Sequence, residues 1–227
     1  LGGIGGVPLL GITPPSVIGA ASIAMPAGGL AKMLDASSSF GPVVSANLAD
    51  AGAPEGSANY ETFLSFAQQT VDSADPVNWA GVVAATTADP RRAVHLIEVV
   101  GDLESGGSNL PDQTVPNNAN EANPPGTGET TVVESGPLGG TDPLIALLGL
   151  DIFVSDSSSP TSSTSGGAVQ FTAGDHGSIL SPAADCLTWF EMQTEAATFL
   201  ATGGGLLPIG SSNASGAGTA TCSQLGF

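Results

Sequence analysis

Two rhythms of apolar positions run along this chain. VIGAASIAM (17–25), apolar on both faces and bounded by proline on both sides, reads as a buried parallel strand. AVHLIEVVGD (93–102), β-branched and stopping at Gly101-Asp102, reads as a second strand, and AVQFTAGDHGS (168–178), alternating in character, as a third. Between them helical spacing takes over. GGLAKMLDAS (28–37) and PVVSANLADAG (42–52) predict short helices joined by turns. In ANYETFLSFAQQTVDSADP (58–76), Tyr60, Phe63, Leu64, Ala67 and Val71 recur at spacings of three and four. Asp75-Pro76 closes that helix, since a residue before proline avoids the α region. DPLIALLGLDIF (142–153) predicts another, opened by an aspartate cap with proline at its first position. The last helix is predicted from a Ser181 cap and Pro182, with Cys186, Trp189, Met192, Ala196 and Leu200 down one side and Gly203 to Gly205 as its stop. Strands alternating with helices predict an α/β fold built on a mainly parallel sheet.

Two polar stretches interrupt the pattern. From Leu103 to about Thr141 the chain is rich in Pro, Asn, Gly and acidic residues, which predicts a long loop; SDSSSPTSSTSGG (155–167) predicts an exposed Ser-rich connection. Residues 1 to 31 are the most apolar, but Pro8, Pro14, Pro15 and Pro26 break them, so they are not a membrane span. No internal repeat is visible, and 227 residues suffice for one medium domain or the larger part of a bigger one.

Charge narrows the possible partners. Lys32, Arg91 and Arg92 stand against 21 acidic residues, a net −18. A surface so poor in cations cannot neutralise a phosphate backbone, which excludes nucleic acid, and anionic membrane surfaces repel it. Such acidity, with few lysines and many Ser, Thr and Gly, fits an exported protein. Cys186 and Cys222 are compatible with one disulfide in an oxidising compartment or with two buried thiols. A bond between them would tie the tail (203–227) to the last helix and contribute about 3–4 kcal/mol by loop closure.

In open α/β sheets chemistry gathers beyond the carboxyl ends of strands. Here those ends carry Asp102 and Asp112 after the second strand and His176 after the third. An acid followed by a histidine is the tail of the Ser…Asp…His order, in which the histidine takes a proton from a nucleophile and the carboxylate holds its ring. The nucleophile elbow GxSxG is absent, and GGSNL (106–110) lacks its second glycine. Leu1-Gly2-Gly3 matches the residues after the serine in an elbow reading G-H-S-L-G-G, so the nucleophile is expected one residue before Leu1, with the glycines letting the next helix pack closely on the sheet. His95, in mid-strand, is expected to be a core residue. Phe63, Phe66 and Trp79 are candidates for an acyl pocket or for plain core. No cofactor is expected, although Asp102, Glu104 and Asn109 could donate oxygens to Ca²⁺ without EF-hand spacing.

LGGIGG, AQQTVDSADPVNWA, HLIEVVGD, LPDQTVPN, AGDHGSIL and EMQTEAATFLATGG together resemble the C-terminal half of secreted bacterial lipases and esterases of the α/β-hydrolase superfamily, above all the large exported lipase and phospholipase group. The resemblance implies that residues 1–227 are the C-terminal portion of one hydrolase domain, with 32–90 as a helical cap or lid. It implies a secreted or cell-surface enzyme acting on lipid or other hydrophobic acyl esters. His176 would be the general base, Asp112 in DQTVPN its partner with Asp102 as the alternative, and the Leu1 N–H half of the oxyanion hole. The competing reading is a non-catalytic acidic surface or binding module in which GDHGS is merely a turn. Geometry separates them: the hydrolase reading requires Asp112 and His176 within hydrogen-bond reach, with the first residues of the chain beside them.

Overall fold

The computed structural model describes residues 2–85, 92–119, 138–155 and 161–210. At its centre lies a four-stranded parallel sheet in the order β1 (Ala20–Ala24), β2 (Ala93–Val99), β5 (Gly166–Phe171), β3 (Ile152–Val154). Register pairs Ser22 with His95, Glu98 with Gln170 and Val99 with Phe171. Side chains alternate across the sheet, and both faces are covered. On one face Val94, Leu96 and Ala168 meet Val7 and Leu10 of α1 (Gly2–Ile12), Ala80 and Val83 of α5 (Pro76–Ala84), and Leu144, Ile145 and Leu148 of α6 (Thr141–Leu148). On the other, Ile97, Val99, Val169 and Phe171 meet Met192 and Phe199 of α7 (Cys186–Ala201) and the short β6 (Leu207–Ile209). The fold is therefore α/β, a parallel sheet between helical layers. Among the described residues no helix is long and apolar enough to cross a membrane.

Propensity alone would not form α1, which contains Pro8 and five glycines. Packing forms it. Val7 and Leu10 are buried, and the helix touches its neighbours where it lacks side chains: a Cβ on Gly3 would lie 2.9 Å from the Ala24 carbonyl oxygen, and one on Gly11 would lie 2.5 Å from the Trp79 ring. The Arg92 guanidinium closes the far end, donating to the carbonyls of Leu10, Thr13 and Ile18.

Of the expected cap (32–90), α5 belongs to the core layer because its apolar face meets α1 and α6. The remaining helices are α2 (Leu30–Ala36), with α3 (Gly41–Asp50) and α4 (Ala58–Val71) both packed on it. They are anchored by buried Asp75, whose carboxylate accepts from the backbone N–H groups of Gly29, Leu30 and Val77 and from Gln68 Nε2.

Several boundaries differ from expectation. The 142–153 helix stops at Leu148, because Gly149 takes the left-handed conformation (φ 64°) that ends helices, and its last residues become β3. The last helix starts at Cys186 rather than after Ser181: the chain is still turning on the Gly177 carbonyl at Leu180 and Ser181, and Asp185 caps the helix by accepting from Thr188 N at 2.7 Å. The strand expected over 168–178 covers 166–171 and is buried almost throughout rather than alternating, as both sheet faces are covered. Within the Ser-rich stretch, β4 (Thr161–Ser163) pairs antiparallel with β6.

Candidate active site

The site grows out of the carboxyl ends of two adjacent strands. Beyond β2, Gly101 turns the chain at φ 68°, where a Cβ would lie 2.5 Å from the Asn109 carbonyl oxygen. Asp102 closes the following loop on itself, its two carboxylate oxygens accepting from Asn109 N and Nδ2, each at 2.7 Å. The loop returns to the sheet as Asp112 donates its N–H to the Val99 carbonyl at 3.0 Å. Asp112 is 2% exposed. Its Oδ1 accepts from Thr114 N and Val115 N, which leaves Oδ2 for a partner.

That partner comes from the turn beyond β5. Asp175 Oδ1 accepts from Gly177 N at 2.8 Å and from Ser178 Oγ at 3.0 Å, while the same hydroxyl oxygen accepts from Asp175 N. The turn so fixed carries His176, whose Nδ1 lies 2.7 Å from Asp112 Oδ2. With its side chain 39% exposed, the ring is accessible to a reactant. A carboxylate oxygen only accepts, so Nδ1 holds a proton and donates; in the neutral ring that tautomer leaves Nε2 with a lone pair. Gly2 and Gly3 line one cavity together with His176, a space of about 840 Å³ walled chiefly by apolar side chains including Ile23, Met33, Leu34 and Phe40.

The other candidates take different places. Leu1 and Cys222 lie outside the described residues, and Cys186 is buried in the first turn of α7. Asp102 is occupied by Asn109 and makes no bond to His176. Phe63 and Phe66 do not line the cavity: 48% and 62% exposed, they sit on α4 away from the buried side that Tyr60 and Leu64 present. Trp79, on α5, packs against α1 at Gly11 and donates its indole N–H to the Ser73 carbonyl, so it serves the core. Among the described residues no three His, Cys, Asp or Glu side chains gather as a metal site. Asp102 and Glu104 of the Ca²⁺ reading belong to a short 3₁₀ turn, Leu103–Ser105, and its cap.

A buried polar layer has no signature in the residue pattern because topology, not spacing, assembles it. His95 is a core residue, as expected, but it has polar company: Ser22 Oγ lies 3.0 Å from its Nδ1, and Glu195 Oε2 3.3 Å from its Nε2. Burial pushes the His95 imidazole down to about 4, so the ring is neutral near pH 7, and burial pushes the Glu195 carboxyl well up, with Glu191 adding to that shift. On the opposite face Glu98 accepts from Gln170 Nε2 at 2.9 Å. Burial pushes its carboxyl up to about 8, with the Asp142 and Asp112 charges adding to the shift.

These shifts have opposite signs in stability. A raised carboxyl binds its proton more tightly in the folded chain, so its contribution is fully present below about 4.5 and is lost as pH rises through the folded value; lowered His95 contributes above 6.5 and loses that as pH falls toward 4. The two oppose one another below 6.5, and the Glu98 carboxyl acts above it. Urea midpoints of the wild type are therefore expected to fall from pH 6.5 to 8.5, and those of Glu98→Gln to fall less. Each proton contributes a slope of at most about 1.4 kcal/mol per pH unit. Equal slopes in the two proteins would mean that Glu98 is already ionised in the fold.

Compared with protein-family models, with curated proteins and with solved structures, the chain matches none.

Proposed function

We propose that this chain is the C-terminal part of an exported α/β-hydrolase that cleaves carboxylic esters of hydrophobic acyl groups. The His176–Asp112 contact carries the reading: a buried carboxylate with two backbone donors on one oxygen holds an accessible imidazole with its free nitrogen available as a base. Gly2 and Gly3, at the start of α1 and on the same cavity, support a serine immediately upstream of Leu1 as the nucleophile. The parallel sheet, with acid and base at the ends of adjacent strands, agrees with that fold. Met33 and Leu34 of α2, and Phe40 beside α3, wall the cavity and support a cap role for the first part of 32–90.

In the reaction His176 Nε2 takes the proton of the serine hydroxyl as its oxygen attacks the ester carbonyl. The tetrahedral oxyanion accepts from the Leu1 N–H. His176 then returns the proton to the departing alcohol, and water repeats the sequence on the acyl-enzyme. Asp112 stabilises the imidazolium throughout. The test uses p-nitrophenyl octanoate. The protein extended upstream through that serine should hydrolyse it, His176→Ala should abolish turnover, and the 227-residue chain alone should be inert. Hydrolysis by the short chain that His176→Ala removes would place the nucleophile within these residues. Hydrolysis indifferent to His176→Ala would end the proposed role of the pair.

A further inference from the structure

His176 stands where two cavities of unlike character meet, since Thr114, His176 and Gly177 belong to the walls of both. The first is the apolar space beside α1. The second, a cleft of about 680 Å³, is walled by Ser108, Asn109, Gln113, Asp175 and Asp185. Bonds already made decide what this cleft offers. Asp175 spends Oδ1 on Gly177 N and Ser178 Oγ, and Asp185 spends Oδ1 on Thr188 N. Asn109 and Gln113 spend amide hydrogens on Asp102 and on the Pro111 carbonyl. Four acceptors are left without partners among the described residues: Oδ2 of each aspartate and the two amide oxygens. No lysine or arginine lines the cleft.

We infer that the polar cleft receives the alcohol half of the ester, and that this half is an uncharged polyhydroxylated group, phosphate-bearing alcohols being rejected. The inference rests on the hydrolase reading. Hydroxyl groups can donate to all four acceptors, and a hydroxyl donating to a carboxylate forms a charge-assisted bond. A phosphate brings acceptors and negative charge to a wall holding two carboxylates and no cation. Discrimination is therefore repulsive as well as attractive, and the repulsive part weakens as salt screens it.

The test compares three esters with one acyl chain, 1-octanoylglycerol, 6-O-octanoylglucose and 1-octanoylglycerol 3-phosphate, on the protein extended upstream through its serine. At low ionic strength kcat/KM for at least one neutral ester should exceed that for the phosphate ester by about tenfold, and the gap should narrow in about 0.5 M NaCl. The preferred neutral ester identifies glycerol or sugar as the alcohol. Asp175→Asn and Asp185→Asn keep Oδ1, and with it the turn and the helix cap. Combined, they should raise kcat/KM for the phosphate ester about fivefold and lower it for the neutral ones. Phosphate ester cleaved as fast as the neutral esters, or a gap unchanged in the double variant, overturns the inference while leaving the hydrolase intact. So does inertness toward all three esters with p-nitrophenyl octanoate still cleaved. Inertness toward p-nitrophenyl octanoate as well removes the underlying reading.

Discussion

Replacing Asp112 with asparagine is expected to lower ester turnover by the serine-containing protein by about 10⁴-fold with little loss of stability, a magnitude taken from serine proteases in which the same change traps the wrong histidine tautomer. The structure explains why the effect should be chemical. Asparagine keeps an oxygen at the Oδ1 position, so the bonds from Thr114 N and Val115 N survive and the loop stays folded. Its amide nitrogen, however, takes the place of Oδ2, where the His176 ring lies 2.7 Å away. An amide N–H facing Nδ1 forces the ring proton onto Nε2, and the base loses the lone pair it needs. Asp102→Asn should change turnover little, because the Asp102 carboxylate is engaged by Asn109. Measured kcat/KM for the two variants, with thermal melting as the control, checks this. A large loss in Asp102→Asn with none in Asp112→Asn would reverse the assignment.

Arg92→Met is expected to cost more stability than any other single change considered, about 3 kcal/mol or more by urea unfolding. Arg92 is only 4% exposed, and burial lowers the guanidinium from its ordinary value without making it neutral. The group is retained for geometry. Its fork gathers carbonyls from the last turn of α1, from Thr13 just beyond and from Ile18 before β1, and so ties that connection to the start of β2. The end of a helix leaves carbonyls without intrahelical partners, and removing their donor strands three acceptors at roughly 1–3 kcal/mol each. Lysine has one point charge instead of a planar fork and should recover only part of the loss. A deficit under about 1 kcal/mol in Arg92→Met would mean that water reaches these carbonyls. Because Gly2 and Gly3 enter the cavity from the other end of α1, the same variant should lower turnover even where the protein remains folded.

The contrast between Asp112 and Arg92 indicates what can be read from a one-dimensional pattern. The Asp112–His176 contact is legible because each residue lies beyond a strong strand signal among turn-forming residues, and strand ends are where an α/β sheet gathers exposed side chains. Arg92 registers only as one of three cations, since its partners are backbone atoms 74 to 82 positions away. Gly166 and Gly167 fall outside the third strand's signal because glycine is rare in strands, yet they pair with Val94 and His95, and the Phe153 ring lies against Gly167 where a side chain would stand. Phe63 shares helical spacing with Tyr60, but packing turns Tyr60 and Leu64 inward and leaves Phe63 and Phe66 exposed. Periodicity recovers a stripe and leaves open which flank of it is covered. Half-buried Ser22 with buried His95 and Glu195 on one face, and buried Glu98 with Gln170 on the other, are illegible because strand order and the placement of α7 bring their members together.

Val99 and Phe171 form one rung of the sheet, and both members of the Asp112–His176 pair hang from it: Asp112 bonds back to the Val99 carbonyl, and His176 lies five positions beyond Phe171. Their separation is thus referenced to the spacing of adjacent strands, about 4.8 Å, and not to the 64 positions of chain between them. Lengthening that intervening chain adds closure entropy only logarithmically, about 0.6 kcal/mol per doubling, and leaves the rung where it is. Insertion in the loops of the intervening chain is thus decoupled from the Asp112–His176 contact, and those loops are free to acquire new surfaces while the pair stays in register.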